Sequence, residues 1–236
     1  MRLERLHGWK VSVTQAMEIQ RKLAEKVSRT GGITNPHLIA GVDISVNRTR
    51  EKATGAVVVL SFPELEVVET SVIVTGKLGF PYIPGLLTFR EAPLILEACE
   101  KLVSKPDLIL IDGQGIAHPR RMGLASHLGL FLGIPTIGCA KSRLCGKHEE
   151  PDVKPGSHAE LIDGDEIIGV VLRTKAGVKP VYVSIGHKID LQNAMYWVLE
   201  CCHGYRLPEP CRLAHLAAGG KLMLKSNSRV IEPITG

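Results

Sequence analysis

The run Leu38-Ile39-Ala40-Gly41-Val42-Asp43-Ile44-Ser45-Val46 decides the architecture. It is rich in apolar and β-branched residues and follows two breakers, Gly31-Gly32 and Asn35-Pro36. Two similar runs come after it at short polar intervals, Gly55 to Phe62 and Glu66 to Thr75. Three such runs with short connections predict an antiparallel meander. Upstream, Ser12 or Thr14 can cap a helix reaching about Ser28, with Ala16, Ile19, Leu23 and Val27 as its apolar stripe.

Downstream the pattern becomes mixed. Pro81 and Pro84 frame a rigid loop, and Thr88 opens a helix to about Ser104. Asp107 to Ile111, closed by Gly113, reads as a short buried strand. A helix over Leu124 to Leu132 and a buried strand over Ile134 to Cys139 follow. Two β-like runs flank the Asp163-Gly164 turn, and Pro180 to Ile185 is a further strand. Leu191 to Cys202 reads as a helix, and Pro208 and Pro210 introduce a short last one. Residues 221–236 carry no strong period and are expected to form a loose tail. Strands first, then alternating helix and strand around one apolar core, imply a single mixed α/β domain over residues 1–236.

Composition narrows the class. The 236 residues are 44% hydrophobic and 22% charged, the balance of a folded globular protein and not of a disordered or fibrous one. Apolar stretches such as Ala56 to Leu60 are too short to span a bilayer, and Met1 to Val13 lacks the apolar core of a secretory signal. A soluble, cytoplasmic protein without membrane partners is expected. The 29 Lys+Arg against 24 Asp+Glu leave a net charge of +5, a surplus that assists association with a polyanion without requiring one. Cys99, Cys139, Cys145, Cys201, Cys202 and Cys211 form no pair of CxxC knuckles. Cys139, Cys145 and His148 lack a fourth zinc ligand, so reduced and partly buried thiols are expected.

Three carboxylates stand where chemistry could be built. Asp43 interrupts an otherwise apolar strand, where an unpaired carboxylate costs free energy. Asp112 ends Leu108-Ile109-Leu110-Ile111, at the carboxyl end of a buried strand where ligand crevices form in open α/β sheets. Glu91 matches a capping box in Thr88-Phe89-Arg90-Glu91, and taken alone capping is its better reading. Together the three can converge on hard cations. Magnesium takes near-octahedral oxygen ligation with one or two carboxylates, waters and substrate phosphate. Two such ions roughly 4 Å apart clamp the attacking and leaving oxygens of phosphodiester hydrolysis.

Several ordered motifs carry a resemblance. They are Ala40-Gly41-Val42-Asp43, Pro81-Tyr82-Ile83-Pro84-Gly85 with Phe89-Arg90-Glu91, Asp112-Gly113-Gln114-Gly115, and His118-Pro119-Arg120-Arg121. Gly138-Cys139-Ala140-Lys141-Ser142, Gly186-His187, Leu207-Pro208-Glu209-Pro210 and Arg212-Leu213-Ala214-His215 complete the order. From about residue 13 to 218 the chain resembles the endonuclease V family, which nicks nucleic acid beside deaminated adenine.

The resemblance implies a ribonuclease H-like fold, a mixed sheet flanked by helices. It implies Asp43, Glu91 and Asp112 as magnesium carboxylates, with manganese as a possible substitute, and Lys141 as an active-site lysine. His215 matches a histidine near the metals, of second-shell or water-orienting role. Pro81, Tyr82, Ile83 and Pro84 resemble the family's wedge, whose aromatic ring stacks where a base has left the duplex. Gly85, Leu87, Gly113, Leu124, Gly138 and Ala140 fall in the segments that form the pocket for the extruded base. His118, Arg120 and Arg121 are expected on backbone phosphates. The chain departs from the family where a proline is expected before Gly186-His187 and Val183-Ser184-Ile185 stands instead.

The expected activity is a magnesium-dependent DNA repair endonuclease. It would recognise deoxyinosine and hydrolyse the second phosphodiester bond 3′ to it, leaving 3′-hydroxyl and 5′-phosphate ends. Its partner would be deoxyinosine-containing DNA, with the chain acting as a monomer that requires no protein partner. The alternatives are an inosine-specific endoribonuclease, a non-catalytic binder of distorted DNA, and another metal-dependent nuclease on this fold.

Overall fold

A computed structural model describes residues 1, 3–47, 52–76, 78–222 and 228–231. In chain order the elements are α1 (Val13–Ala24), β1 (Leu38–Asn47), β2 (Lys52–Ser61), β3 (Val67–Thr75), α2 (Leu87–Glu100), β4 (Leu108–Ile111) and α3 (Leu124–Leu132). They continue as β5 (Thr136–Ala140), β6 (His158–Asp163), β7 (Glu166–Leu172), β8 (Val181–His187), α4 (Leu191–Glu200), α5 (Glu209–Ala218) and β9 (Ser228–Ile231). The strands form one sheet in the order β6-β7-β8-β5-β4-β1-β2-β3-β9. β1, β2 and β3 are the antiparallel meander, whereas β1, β4 and β5 run parallel in the middle.

Two apolar layers cover the sheet. On one face, Ile39, Leu108, Leu110, Ile137 and Cys139 bury against Leu23 of α1, Trp197 and Val198 of α4 and Cys211 of α5. On the other, Ala40, Val42, Ile109 and Ile111 pack against residues of α2 and α3 such as Ile95 and Leu128. The strand period of two carries this alternation on to the polar ends. Residues 39, 41 and 43, 108, 110 and 112, and 137, 139 and 141 share the α5 face. All six cysteines are free thiols, and Cys99, Cys139, Cys201 and Cys211 are buried. Among the described residues no helix is long and apolar enough to cross a membrane.

Side-chain caps begin two of the helices. Ser12 caps α1 through a capping box: its Oγ accepts from Gln15 N at 3.2 Å, and its own amide donates to Gln15 Oε1 at 2.8 Å. Asp190 caps α4 by accepting from the Asn193 amide.

Two expectations are corrected. The Thr88–Glu91 capping box does not form, because α2 begins at Leu87 with Leu86 as an N-cap that makes no side-chain bond. Leu86 and Phe89 bury with Phe80 and Ala16, and this packing sets the N-cap two residues early, leaving Thr88 buried inside the first turn. Glu91 is thereby released from capping. The tail expected to be loose over 221–236 instead contributes β9, which pairs parallel to β3 from Thr70↔Ser228 to Ile73↔Ile231. Without this pairing β3 would present an open edge. Residues 223–227 and 232–236 of that tail lie outside the described residues.

Candidate active site

The register of the parallel strands builds the acidic centre. Val42 of β1 pairs with Ile111 of β4, and the Asp112 amide donates to the Val42 carbonyl at 3.1 Å. The next residues, Asp43 and Asp112, therefore stand side by side on the same face. Lys141 follows β5 with the same parity, and its Nζ lies 2.5 Å from Asp112 Oδ2. α5 crosses above β1, and His215 Nδ1 meets Asp43 Oδ2 at 2.7 Å. An ionised carboxylate only accepts, so the ring nitrogen donates and leaves Nε2 free.

Gly41 makes that helix placement possible. A Cβ there would lie 1.8 Å from the Pro210 carbonyl oxygen at the start of α5. Any larger residue would lift the helix and carry His215 away from Asp43.

The electrostatics are those of crowded negative charge. Burial raises the Asp43 pKa, and Asp112 adds to the rise, while the hydrogen bond from His215 and the charge of Lys141 oppose it. Glu91, in the first turns of α2, is pushed up to about 7 by burial and then by the charge of Asp43, with a smaller contribution from Asp112. Burial works against the Lys141 ammonium, but Asp112 and then Asp43 outweigh it and hold its pKa above the usual value.

Asp43, Asp112 and His215 each bring one ligand atom within 4.8 Å of the other two. Oxygen-rich donors beside mutually repelling carboxylates fit a hard divalent cation, which would relieve the repulsion that raises Asp43 and Glu91. The compact group holds His215 where the sequence pointed to Glu91. Glu91 faces the same centre from the helix side.

A cavity of about 350 Å³ opens beside these groups. Tyr82, Pro84, Gly85, Leu87, Gly113, Leu124, Ala140 and His118 line it, and Glu91, Asp112 and Lys141 form its polar wall. Gly138 does not line the cavity. It packs β5 under the loop after β4, where a Cβ would meet Gly115 N at 2.4 Å. Ser142, quoted only as the end of a family motif, and Arg143 and Leu144, not singled out from the sequence, line the cavity too. Their adjacency to Lys141 was the available signal. The Gln114 side chain fixes this segment by donating to the Ser142 carbonyl at 2.8 Å.

The segment expected to act as a wedge, residues 81–84, projects from buried anchors. Phe80 and Leu86 are buried on either side of it, while the Tyr82 side chain is 61% exposed at the tip. Gly85 turns the chain back with φ +78°, a conformation that favours glycine.

The three cationic residues expected on phosphates are engaged within the protein. Burial, and then the charges of Arg120 and Arg121, lower the His118 pKa to about 4 despite a bond to Gly85 that opposes the shift. Its Nδ1 accepts from the Arg120 amide, so its Nε2 carries the proton donated to the Gly85 carbonyl at 2.9 Å. Arg120 also donates to that carbonyl, at 2.8 Å. Arg121 pairs with Asp163 at 2.9 Å and with Glu166 at 2.6 Å, and Glu166 pairs again with Arg29. His187 is buried away from the carboxylates, and its Nδ1 accepts from the Ser28 amide.

Comparison with known proteins identifies the family. Residues 21–216 match the family model described as Endonuclease V. The endonuclease V of Dehalococcoides mccartyi is 52% identical over 218 residues, covering 92% of this chain and 97% of that protein. The crystal structure of the Streptomyces avermitilis endonuclease V superposes with a TM-score of 0.85 at 41% identity, covering 90% of this chain and 94% of that one. That of the Ciona intestinalis endonuclease V, in complex with a 24mer DNA containing an inosine followed by a ribo-adenosine, superposes at 0.78 with 29% identity over 89% and 97% of the two chains. The chain belongs to the endonuclease V family.

Proposed function

We propose that this chain is a magnesium-dependent endonuclease that recognises deoxyinosine in DNA. It hydrolyses the second phosphodiester bond on the 3′ side of the lesion and leaves 3′-hydroxyl and 5′-phosphate ends. The observation that carries this reading is the continuity of the base-sized cavity with the carboxylate centre: Asp112 belongs to both, and Glu91 and Lys141 of the cavity wall act on Asp43 and Asp112.

Asp43, Asp112 and Glu91, with His215 beside them, would hold the cation. Bound there, magnesium supplies charge stabilisation at the phosphate and lowers the pKa of water, with manganese a substitute. The protein's own groups do the rest. Tyr82 stacks into the gap left by the extruded base and offsets part of an unstacking cost of a few kcal/mol. Gly85, Gly113 and Ala140 offer backbone groups to the base edge, since small residues permit close approach. Lys141 is held by Asp112 where its ammonium faces negative charge developing on the phosphate. His215 orients Asp43 and keeps Nε2 for a water or phosphate oxygen. Arg120 and Arg121 reach backbone phosphates only by exchanging their present partners.

An end-labelled duplex with one deoxyinosine tests the proposal, incubated with magnesium, with chelator, and with Asp43→Ala. A single metal-dependent nick 3′ of the lesion, lost in the variant, is the expected result. Intact DNA under every condition would overturn it.

One observation favours a second reading, the same hydrolysis on inosine-containing RNA: the DNA bound by the Ciona relative carries a ribonucleotide after the inosine. Matched DNA and RNA oligonucleotides separate the two substrates through the 2′-hydroxyl.

A further inference from the structure

The wedge loop is pinned at both ends through main-chain carbonyls. At the entry, Arg90 donates to the Phe80 carbonyl at 2.8 Å. At the exit, the Gly85 carbonyl receives His118 and Arg120, and also a third donor from a distant part of the chain, Gln20 of α1, at 3.1 Å. Gln20 is wholly buried. The same amide nitrogen donates to the Met122 carbonyl at 3.0 Å, and the amide oxygen accepts from Arg120 Nε at 2.6 Å. One side chain thus ties together the turn that ends the wedge, the turn over 118–122 that leads into α3, and the guanidinium that braces both. A buried amide with every group matched is costly to disturb and rigid while intact.

We propose that Gln20 is a positioning residue for lesion recognition. It acts through the Gly85 carbonyl and Arg120, holding the wedge and the near wall of the base cavity in one geometry. This inference rests on the reading of the cavity as a base pocket. Gln20 touches neither substrate nor carboxylates, so its loss affects selectivity for the lesion before it affects attachment to DNA. Misplacing a recognition element by about 1 Å can cost on the order of a hundredfold in rate.

The test compares Gln20→Leu, Gln20→Glu and, as a control on the same helix, Leu23→Ala. Gln20→Glu keeps the acceptor for Arg120 and loses both donated bonds. Leu23 packs into the core with no part in the Gly85 contacts, so its variant loses stability alone.

Amide hydrogen exchange of the Leu86 N–H, which bonds to the Ile83 carbonyl, is read against the amides of β4. It should quicken at least about tenfold in both Gln20 variants and stay in step with β4 in Leu23→Ala. The ratio of affinities for deoxyinosine duplex over undamaged duplex should fall at least about fivefold in Gln20→Leu, with undamaged binding unchanged. Gln20→Glu should fall between it and the wild type. Unchanged exchange and ratio in Gln20→Leu, or equal shifts in Leu23→Ala, would overturn the assignment. Should the wild type itself fail to distinguish the two duplexes, the base-pocket reading falls, while the exchange data still decide whether Gln20 orders the loop.

Discussion

The carboxylate centre and the wedge are neighbours built on opposite principles. Asp43 lies within β1 just past its parallel pairing with β4, Asp112 and Lys141 follow β4 and β5 directly, and their juxtaposition follows from ladder register and side-chain alternation. The wedge is a loop between two buried aliphatic or aromatic anchors, held by side chains that reach carbonyls from distant parts of the chain. A sheet resists displacement of its end residues by many shared hydrogen bonds. A loop is only as fixed as its few pins. In the proposed function, chemistry falls on the more firmly held part and recognition on the part whose order depends on individual contacts.

The largest expected effect falls on the sheet side. Asp43→Ala should reduce single-turnover cleavage of deoxyinosine DNA by roughly a thousandfold or more, since it removes a cation ligand and the partner of His215. Lesion binding measured by gel shift should survive. Loss of both together would mean that the two regions are not separable.

Acid should attack the wedge side first. The buried His118 stays neutral with a pKa of about 4, against an ordinary value of 6.5. The unfolded chain then binds more protons, so this stability is present above pH 6.5 and is lost as pH falls towards 4. The contribution is about 3 kcal/mol. Glu91, raised to about 7, and Asp43, also raised, gain stability as pH falls and oppose this loss, so the readout is the difference between variants: denaturation midpoints of the wild type should decline relative to His118→Gln across that window. His7, His127 and His187, also shifted down chiefly by burial, contribute to the slope that both proteins share. An identical decline in the variant would remove His118 from the account.

A cation should stabilise the carboxylate side alone. At magnesium a hundredfold above its dissociation constant the gain is about 2.7 kcal/mol, or roughly 5–10 °C in melting temperature for a domain of this size. Calorimetry with magnesium and with chelator reads it. Asp43→Asn should abolish the shift and Tyr82→Ala should leave it intact. The smallest effect belongs to the wedge tip. Tyr82→Ala should slow cleavage of duplex about tenfold, the worth of one base-stacking contact, and slow cleavage of single-stranded deoxyinosine substrate less. Equal losses on both substrates would separate Tyr82 from filling a gap in the duplex.

The same contrast explains what was legible beforehand. Most strands and helices followed from periodicity and breakers, and the meander, the turn at Gly164 and the Leu124–Leu132 helix match their expected places. Asp43 and Asp112 were visible because a carboxylate inside an apolar strand, or closing one, is locally anomalous. Glu91 was ambiguous, since a capping box and a site residue share one local pattern; only the burial of Leu86 and Phe89, which shifts the helix start, separates them. The basic residues of the 118–121 turn read as phosphate contacts, and no local pattern shows that Asp163, Glu166 and the Gly85 carbonyl also engage them. Gly138 read as pocket lining until the loop beneath it was seen to need the space.

By itself the sequence determined the order of the elements, the face on which each strand carries its polar end, and the family motifs. These depend on residues close in the chain, where backbone period and side-chain type suffice. The tertiary structure decided the pairing of His215 with Asp43 across 172 positions, the joining of Gln20 to Gly85 across 65, and the addition of β9 to the open edge of β3. Those contacts have no local signature, because each exists only once packing has brought separate elements within the reach of a hydrogen bond.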